Sequence, residues 1–318
     1  MASFKKIGIV FILVSGVLSC NKTPDITPDM LDGTVLIDSS LLFPEKYLVS
    51  YSNPTPTSTE ASKPVFLTAH GYSGSTFEWN EFRSWSSGTD QYFISQVLLG
   101  GHGRTYNDFK AASWHDWQSS IKEEYERLLA AGYTNINLVG SSTSCTLMLE
   151  MVASGYFSDK LPPANILLVD PIVIPSSKIL SLIGVLGPVL GYVDSGLNPD
   201  EKPYWYSYRP EETLRQLQDI INVVRKDLEK GVVLPANTRV KVYKSKKDPT
   251  ADPVSAVLIY KGLETYSGNK IELEMVDSEL HVYTRLKLRE KVTDKDVANQ
   301  TATFEDFVAR ANPQVVHN

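Results

Sequence analysis

The chain has 318 residues, of which 42% are hydrophobic and 10% aromatic, and its formal net charge is −6 at pH 7. This length and composition are sufficient for a sizeable buried core, which excludes a disordered protein. The acidic balance, together with the absence of a long run of Lys or Arg, argues against a nucleic-acid partner.

The first 20 residues have the layout of a secretory signal peptide. Lys5 and Lys6 precede the apolar run IGIVFILVSGVL, and Cys20 directly follows Ser19. Residues 7–19 are fewer than the ~20 apolar residues that span a bilayer, which disfavours a retained transmembrane anchor. The segment resembles a bacterial lipoprotein signal. This resemblance implies a signal over residues 1–19, lipidation of Cys20, a spacer over residues 20–45 and a membrane-anchored protein of the cell envelope, on its periplasmic or surface side.

Short apolar runs alternate with longer amphipathic segments from about residue 46. The runs KYLVSY, PVFLTAH, QYFISQVLL, NINLV, NILLVD, RVKVYKS and IELEMV predict strands. The segments WHDWQSSIKEEYERLLAAG, CTLMLEMVASG, PEETLRQLQDIINVVRKDLEKG and PVSAVLIYKGLE predict helices. Strands that alternate with helices indicate an α/β domain over residues 46–318, with a mostly parallel sheet covered on both faces.

One long segment interrupts this alternation. Between Asp170 and about Leu234 no sheet strand is predicted, which indicates a cap insertion over about 172–235. An insertion at the carboxyl end of a strand is well placed to roof a ligand crevice.

The stretch INLVGSSTSCTLMLEMV, residues 136–152, predicts a strand, a tight turn of small residues and a helix. This is the context of a nucleophile elbow, G-x-S-x-G, with Ser142 as the nucleophile and Ser144 in place of the last glycine. An activated serine needs a base and an acid that orients the base. Asp248 follows the strand RVKVYKS and His281 follows IELEMV, so the order Ser, Asp, His holds.

From about residue 46 to residue 284 the chain resembles the α/β-hydrolase fold, and within it the carboxylesterase and monoacylglycerol lipase branch. The segments that carry the resemblance are LTAHGYSGSTFEW, LLGGHGRTYNDFKAASWHDWQSSIKEEYERL and KDPTADPVSA. The elbow departs from the branch, which more often has an apolar residue and two glycines where Thr143, Ser144 and Cys145 stand. The resemblance implies an oxyanion hole formed by the backbone N–H groups of Tyr72 and Thr143, which would stabilise charge that develops only in the transition state.

Several residues compete with these assignments. Asp170 follows the strand NILLV and is the main alternative acid, with Asp252 and Asp277 behind it. Two of the five histidines, His70 and His102, adjoin glycines and are expected to shape the oxyanion loop and the sheet edge. A third, at position 115, is expected to be a structural or surface residue on a helix.

No metal-ligand spacing and no dinucleotide fingerprint is present, so the predicted chemistry uses no cofactor. The leading hypothesis is a serine hydrolase of carboxylic esters with a small ester or lipid-like substrate. Amidase, thioesterase or acyltransferase chemistry on the same triad remains open, as does a non-catalytic ligand-binding lipoprotein. The apolar segment SSKILSLIGVLGPVLGYV is predicted to be buried, either as the ordinary core of a lid or as the lining of an acyl pocket with Leu182, Val185 and Leu186. The second alternative implies a preference for medium or longer acyl chains.

Overall fold

The computed structural model describes residues 36–176 and 191–312. The predicted signal segment, Cys20 and the proposed roof residues Leu182, Val185 and Leu186 lie outside these ranges, and the predictions for them stay predictions. None of the helices in the described ranges combines the length and the apolar character that a membrane-spanning helix requires.

A parallel sheet of six strands forms the centre of the domain. Its strands are β1 (Val65–Ala69), β2 (Phe93–Val97), β3 (Ile136–Ser141), β4 (Asn165–Val169), β8 (Arg239–Ser245) and β10 (Glu272–Val276). The smaller pairs are β5 (Tyr192–Asp194) with β6 (Tyr208–Pro210), and β7 (Val232–Val233) with β9 (Leu263–Glu264). The spatial order of the sheet is β10-β8-β4-β3-β1-β2, and every neighbouring pair is parallel.

Helices cover both faces of this sheet. They are α1 (Val49–Ser52), α2 (Ser58–Ser62), α3 (Asn80–Trp85), α4 (Tyr106–Ala111), α5 (Trp114–Ala130), α6 (Thr143–Ala153), α7 (Glu211–Lys230), α8 (Val254–Gly262) and α9 (Asp294–Ala311). The predicted α/β class, with a mostly parallel sheet between helices, is confirmed.

The core lies in two layers because side chains alternate between the faces of a strand. On β1, Val65 and Leu67 belong to the layer formed with α5, α6, α7 and α8. Phe66 belongs to the opposite layer, where its ring lies 5.4 Å from that of Phe82 on α3, which in turn packs against Phe307 on α9. The five residues of β1 are all buried, as expected for a strand covered on both sides.

The strand order reverses between β1 and β3. From β1 the chain runs to the edge strand β2 and then crosses back to β3 on the other side of β1. In open α/β sheets such a reversal leaves a crevice at the carboxyl ends of the strands, where ligands bind. Ser142 follows β3 and Tyr72 follows β1, so the topology brings these two candidate residues to the same crevice.

One predicted strand differs from the structure. The run KYLVSY, predicted as a strand, overlaps α1, in which the N–H of Val49 bonds to Ser95 and that of Ser50 bonds to Glu124 of α5. Helix α7, which lies within the predicted cap insertion of about 172–235, packs against α5, α6 and α8 in the layer that covers the sheet. Its apolar stripe is therefore part of the main core.

Candidate active site

Ser142 lies on the tight turn between β3 and α6. Its φ of 52° is in the left-handed region, where a residue other than glycine costs of order 1–3 kcal/mol. Two features stabilise the turn. The N–H of Ser142 donates to the carbonyl of Val169 on β4 at 3.0 Å, and α6 begins at the next residue, Thr143. This conformation holds the serine hydroxyl above the carboxyl edge of the sheet.

The serine that replaces the last glycine of the elbow is bonded into the turn. The hydroxyl of Ser144 accepts the N–H of Ser141 at 2.8 Å and donates to the carbonyl of Ala69 on β1 at 2.6 Å. Gly140 is required for a different reason. A Cβ at this position would lie 3.0 Å from the backbone nitrogen of Cys145, closer than nearly all real contacts, so a larger residue would push the start of α6 away from the strand.

His281 connects the candidate nucleophile to a buried carboxylate. Its Nε2 lies 2.9 Å from the Oγ of Ser142, and its Nδ1 lies 2.8 Å from Oδ2 of Asp248. The other oxygen of Asp248 accepts two backbone N–H groups of the following turn. Burial raises the pKa of Asp248, but the bond and charge of His281 and the charge of Lys244 outweigh burial and lower that pKa to about 2. An ionised Asp248 fixes the proton on Nδ1 and leaves Nε2 to accept one.

Asp170, the main alternative acid, lies beside this chain of hydrogen bonds and contacts other groups. Its carboxylate accepts the N–H and hydroxyl of Ser245 at 2.7 and 3.0 Å and the N–H of Tyr283 at 3.3 Å. The other two acid candidates bond to other groups: Asp252 accepts the N–H of Val254 at the start of α8, and Asp277 pairs with a surface lysine. The geometry therefore favours Asp248 as the residue that orients His281.

A buried lysine bridges the two carboxylates. The Nζ of Lys244 lies 3.2 Å from Oδ1 of Asp170 and also bonds to Oδ2 of Asp248, and all three side chains are fully buried. Oxygen and nitrogen atoms of Asp170, Asp248 and His281 lie within 4.8 Å of one another, a spacing that suits a metal ion. The ammonium of Lys244 already supplies the positive charge between these carboxylates, so the set fits an ion-paired network better than a metal centre.

The two predicted oxyanion donors are Tyr72, in the loop after β1, and Thr143, which directly follows Ser142. Tyr72 and Thr143 both line the cavity that contains Ser142 and His281. The N–H of Thr143 is at the first position of α6, where it has no partner within the helix. In the part of the chain that the structure describes, the N–H of Tyr72 has no hydrogen-bond acceptor. Both groups are thus available to a developing oxyanion.

Two buried histidines hold the loop that carries Tyr72. His70 donates from Nδ1 to the carbonyl of Gly71 at 2.8 Å, and its Nε2 accepts the N–H of Leu99 at 3.1 Å. His102 accepts the N–H of Ser73 at 3.2 Å through Nε2. Burial lowers the pKa of both rings, so they remain neutral. These contacts agree with their expected role in shaping the loop. His115, in contrast, is exposed on α5 and stacks on Trp114.

A cavity of about 400 Å³ lies beside Ser142 and His281. This volume is in the range of small-molecule sites. Apolar and aromatic residues form much of its lining, among them Tyr72, Ile172, Val193, Leu197, Trp205, Leu214, Leu217 and Val282. The remaining lining includes charged side chains that sequence reasoning did not identify, namely Glu78, Glu201, Arg209, Arg285 and Arg289.

Sequence reasoning missed Glu78 and Lys244, because contacts between distant segments give these residues their roles. The carboxylate of Glu78 accepts the N–H of Gly71 at 2.9 Å and the hydroxyl of Ser141, and so ties the oxyanion loop to the elbow. A weak signal existed for Lys244, which stands at the end of a buried strand and four residues before Asp248.

Comparison with known proteins gives relatives that are named as ester hydrolases. No protein-family model matches the chain. It is 26% identical over 241 residues to a thermostable monoacylglycerol lipase of Bacillus sp. (strain H-257), covering 76% of this chain and 91% of the relative. It is also 26% identical over 244 residues to a carboxylesterase of Bacillus subtilis (strain 168), covering 75% of this chain and 93% of the relative.

Solved structures give the same fold. A soluble variant of the monoglyceride lipase of Saccharomyces cerevisiae, in complex with a substrate analogue, superposes with a TM-score of 0.62 at 12% identity, covering 81% of this chain and 89% of that one. The protein therefore has the α/β-hydrolase fold, and its sequence is similar to those of a monoacylglycerol lipase and a carboxylesterase.

Proposed function

We propose that the protein is a serine hydrolase that cleaves carboxylic esters. One observation carries this proposal, the continuous set of hydrogen bonds from Asp248 through His281 to the hydroxyl of Ser142, beside a cavity large enough for a small ester. The similarity to a monoacylglycerol lipase and a carboxylesterase supports ester-hydrolase chemistry independently of this geometry.

In the acylation step, the Oγ of Ser142 attacks the ester carbonyl while Nε2 of His281 takes the serine proton. The carbonyl oxygen becomes an oxyanion and accepts hydrogen bonds from the N–H groups of Tyr72 and Thr143. His281 then donates its proton to the departing alcohol. The ionised carboxylate of Asp248 stabilises the imidazolium that exists between these two proton transfers.

In the deacylation step, the same groups act on water. His281 removes a proton from a water molecule that attacks the acyl-enzyme, and the oxyanion donors act a second time. Collapse of the second tetrahedral intermediate breaks the bond to Ser142 and returns the proton to its Oγ. The products are a carboxylic acid and an alcohol.

Amides, thioesters and other acyl acceptors would use the same triad. A matched panel of ester, thioester and amide substrates with one acyl group separates these possibilities through their kcat/KM values. Higher kcat/KM for the ester than for the thioester and the amide, without transfer to an added alcohol, is the expected result. A protein that binds these compounds and turns over none of them would be a ligand-binding protein.

The test of the nucleophile is the Ser142→Ala variant. It should lower ester turnover by at least about 10⁴-fold and abolish covalent labelling by a fluorophosphonate probe. Ser154→Ala is the matched control, because Ser154 is exposed at the other end of α6 and bonds only to a backbone carbonyl. Persistent labelling of Ser142→Ala would show that a different residue is the nucleophile.

The N-terminal segment adds a proposal about location. We propose that residues 1–19 are removed as a signal and that a lipid on Cys20 anchors the domain to a membrane of a bacterial cell envelope. The pattern of Lys5, Lys6, the apolar run and Cys20 supports this assignment. Cys20→Ser should move the protein from the detergent phase to the aqueous phase while its ester turnover persists. Retention in the detergent phase would instead indicate an uncleaved apolar helix.

A further inference from the structure

Positively charged side chains outnumber negatively charged ones in the lining of the cavity. Three arginines and two glutamates face it, namely Arg209, Arg285, Arg289, Glu78 and Glu201. Arg285 donates to Glu201 at 2.9 Å, and Glu78 accepts hydrogen bonds from the oxyanion loop and the elbow. Both carboxylates are therefore engaged. In residues 36–176 and 191–312, Arg209 and Arg289 have no carboxylate partner, which makes the lining net positive.

The two unpaired arginines differ in what they do. Arg289 donates to the carbonyl oxygens of His281 and Arg285, so its guanidinium is used to hold the loop that carries His281. The guanidinium of Arg209 makes no hydrogen bond and no ion pair with the described residues, and its Nε is buried without a partner. Its Cζ lies 5.9 Å from the centre of the Tyr72 ring. Of the three arginines that line the cavity, Arg209 is thus the one without an acceptor in the part of the chain that the structure describes.

The hairpin of β5 and β6 directs Arg209 toward the cavity. Arg209 stands directly opposite Val193 in the antiparallel register, so the two side chains share one face, and both line the cavity. The neighbouring Asp194 points to the other face, where it accepts the N–H of Gly196 at 2.8 Å. The segment 177–190 contains no Asp or Glu in its sequence. It therefore has no carboxylate to offer.

The side chain of Arg209 is partly buried, and a guanidinium in such a position gains stability when an anion accepts its hydrogen bonds. Burial lowers the pKa of Arg209, and the nearby Tyr72 and Asp194 offset this effect only in part. The planar fork of an arginine matches carboxylate and phosphate oxygens, often with two parallel hydrogen bonds. An anionic group of a ligand in the cavity would supply the missing acceptor.

We propose that Arg209 binds an anionic group of the substrate, so that the preferred ester carries a carboxylate or a phosphate in addition to its scissile bond. This inference rests on the proposed ester hydrolysis and specifies its substrate class. The anionic group belongs either to the acyl part, as in a dicarboxylic acid monoester, or to the alcohol part, as in an acylglycerol phosphate. The shared chemistry is an anion accepted by the fork of Arg209.

The experiment compares two pairs of esters that differ only in charge. The acyl-side pair is p-nitrophenyl pentanoate and mono-p-nitrophenyl glutarate, and the alcohol-side pair is 1-butyrylglycerol and 1-butyrylglycerol 3-phosphate. In at least one pair the wild type should have the higher kcat/KM on the charged ester. Arg209→Gln should lower that charged-to-neutral ratio by about 10- to 100-fold, the range expected for loss of a charge-assisted bond. Arg209→Lys should give an intermediate ratio, because it keeps the charge and loses the fork.

The matched control is Arg215→Gln, on α7, where Arg215 already pairs with Glu211 and lies outside the cavity lining. It should leave both ratios within about twofold of the wild type, since exposed ion pairs contribute little. A second measurement uses free glutarate and inorganic phosphate as inhibitors of neutral-ester turnover. At least one of them should inhibit the wild type more strongly than Arg209→Gln, and added salt should weaken that inhibition.

Two kinds of failure are distinguishable. If the neutral esters are hydrolysed but the wild type does not favour a charged partner, or if Arg209→Gln leaves the ratio unchanged, the proposed anion site is wrong and ester hydrolysis stands. If the wild type hydrolyses none of the four esters and does not react with a fluorophosphonate, the proposed function itself is wrong. If Arg209→Gln does not fold, the wild-type preference and the Arg209→Lys ratio decide.

Discussion

Removal of the buried lysine between the two carboxylates should destabilise the fold strongly. In Lys244→Met, an apolar side chain of similar length replaces an ammonium that bonds to both Asp170 and Asp248. Because all three side chains are fully buried, the change leaves two carboxylates close together, away from water and without their cation. Breaking a buried ion pair by removal of one partner costs about 3–5 kcal/mol. We expect the free energy of unfolding to fall by that amount.

The assay is urea denaturation at neutral pH, with three variants beside the wild type. Lys247→Met is the matched control, because Lys247 lies three residues further along the chain, in the loop after β8, and its side chain is 67% exposed in a pair with Glu279. It should change the free energy of unfolding by at most ~1 kcal/mol. The double variant Lys244→Met with Asp170→Asn removes one positive and one negative charge, and it should recover at least about 1 kcal/mol of the loss.

Two results would contradict this reasoning. A Lys244→Met protein within about 1 kcal/mol of the wild type would mean that water or a protonated carboxylate compensates for the missing cation. A double variant no more stable than Lys244→Met would mean that the loss comes from packing around the lysine chain and not from unpaired charge.

Three further predictions concern the triad and the cavity. Asp248→Asn should lower ester turnover by orders of magnitude, because the ring of His281 loses its orienting acid, whereas Asp170→Asn should have a small effect; the reverse ranking of kcat/KM would make Asp170 the acid. The pKa of Asp248 is about 2 in the folded protein and 3.8 in the unfolded chain, so ionisation of this carboxyl stabilises the fold. This stabilisation is complete at pH values above 3.8 and is lost as the pH falls toward 2. Between pH 5 and pH 2 the wild type should therefore lose about 2 kcal/mol more stability than Asp248→Asn, measured by denaturation at each pH, and equal losses would contradict the assigned pKa. For the cavity, kcat/KM should rise from acetyl to medium-length acyl esters, and Leu217→Trp should shorten the preferred chain; no response of chain length to this substitution would place the acyl group elsewhere.

The periodic pattern of the chain was sufficient for the architecture. Buried strands such as RVKVYKS and amphipathic helices such as α5 carry their own signals, because local side-chain alternation reflects which faces are covered. The elbow was also predictable, since a strand-to-helix turn with Ser142 requires small residues at fixed positions. The run KYLVSY was predicted wrongly, because its Val and Tyr favour a strand locally while bonds to Ser95 and Glu124 stabilise a helical turn.

The choice between the two acids depended on the tertiary structure. Asp170 and Asp248 both follow strands, β4 and β8, that are neighbours in the sheet, so sequence order left both near His281. Their partners differ because Ser245 and Tyr283 engage Asp170 from segments far along the chain, while the loop after β8 turns Asp248 toward Nδ1 of His281.

The charged residues that line the cavity could likewise not be predicted from the sequence. Arg209 stands in the polar stretch SYRPEE, where a charged residue is expected to lie on the solvated surface. Only the β5–β6 pairing and the packing beside Tyr72 bury it partly and leave its guanidinium without an acceptor among the described residues. Local sequence determines which segments form strands and helices, because it sets the periodicity of burial. The environment of a single charge is determined by residues distant in the chain, and so by the tertiary structure alone.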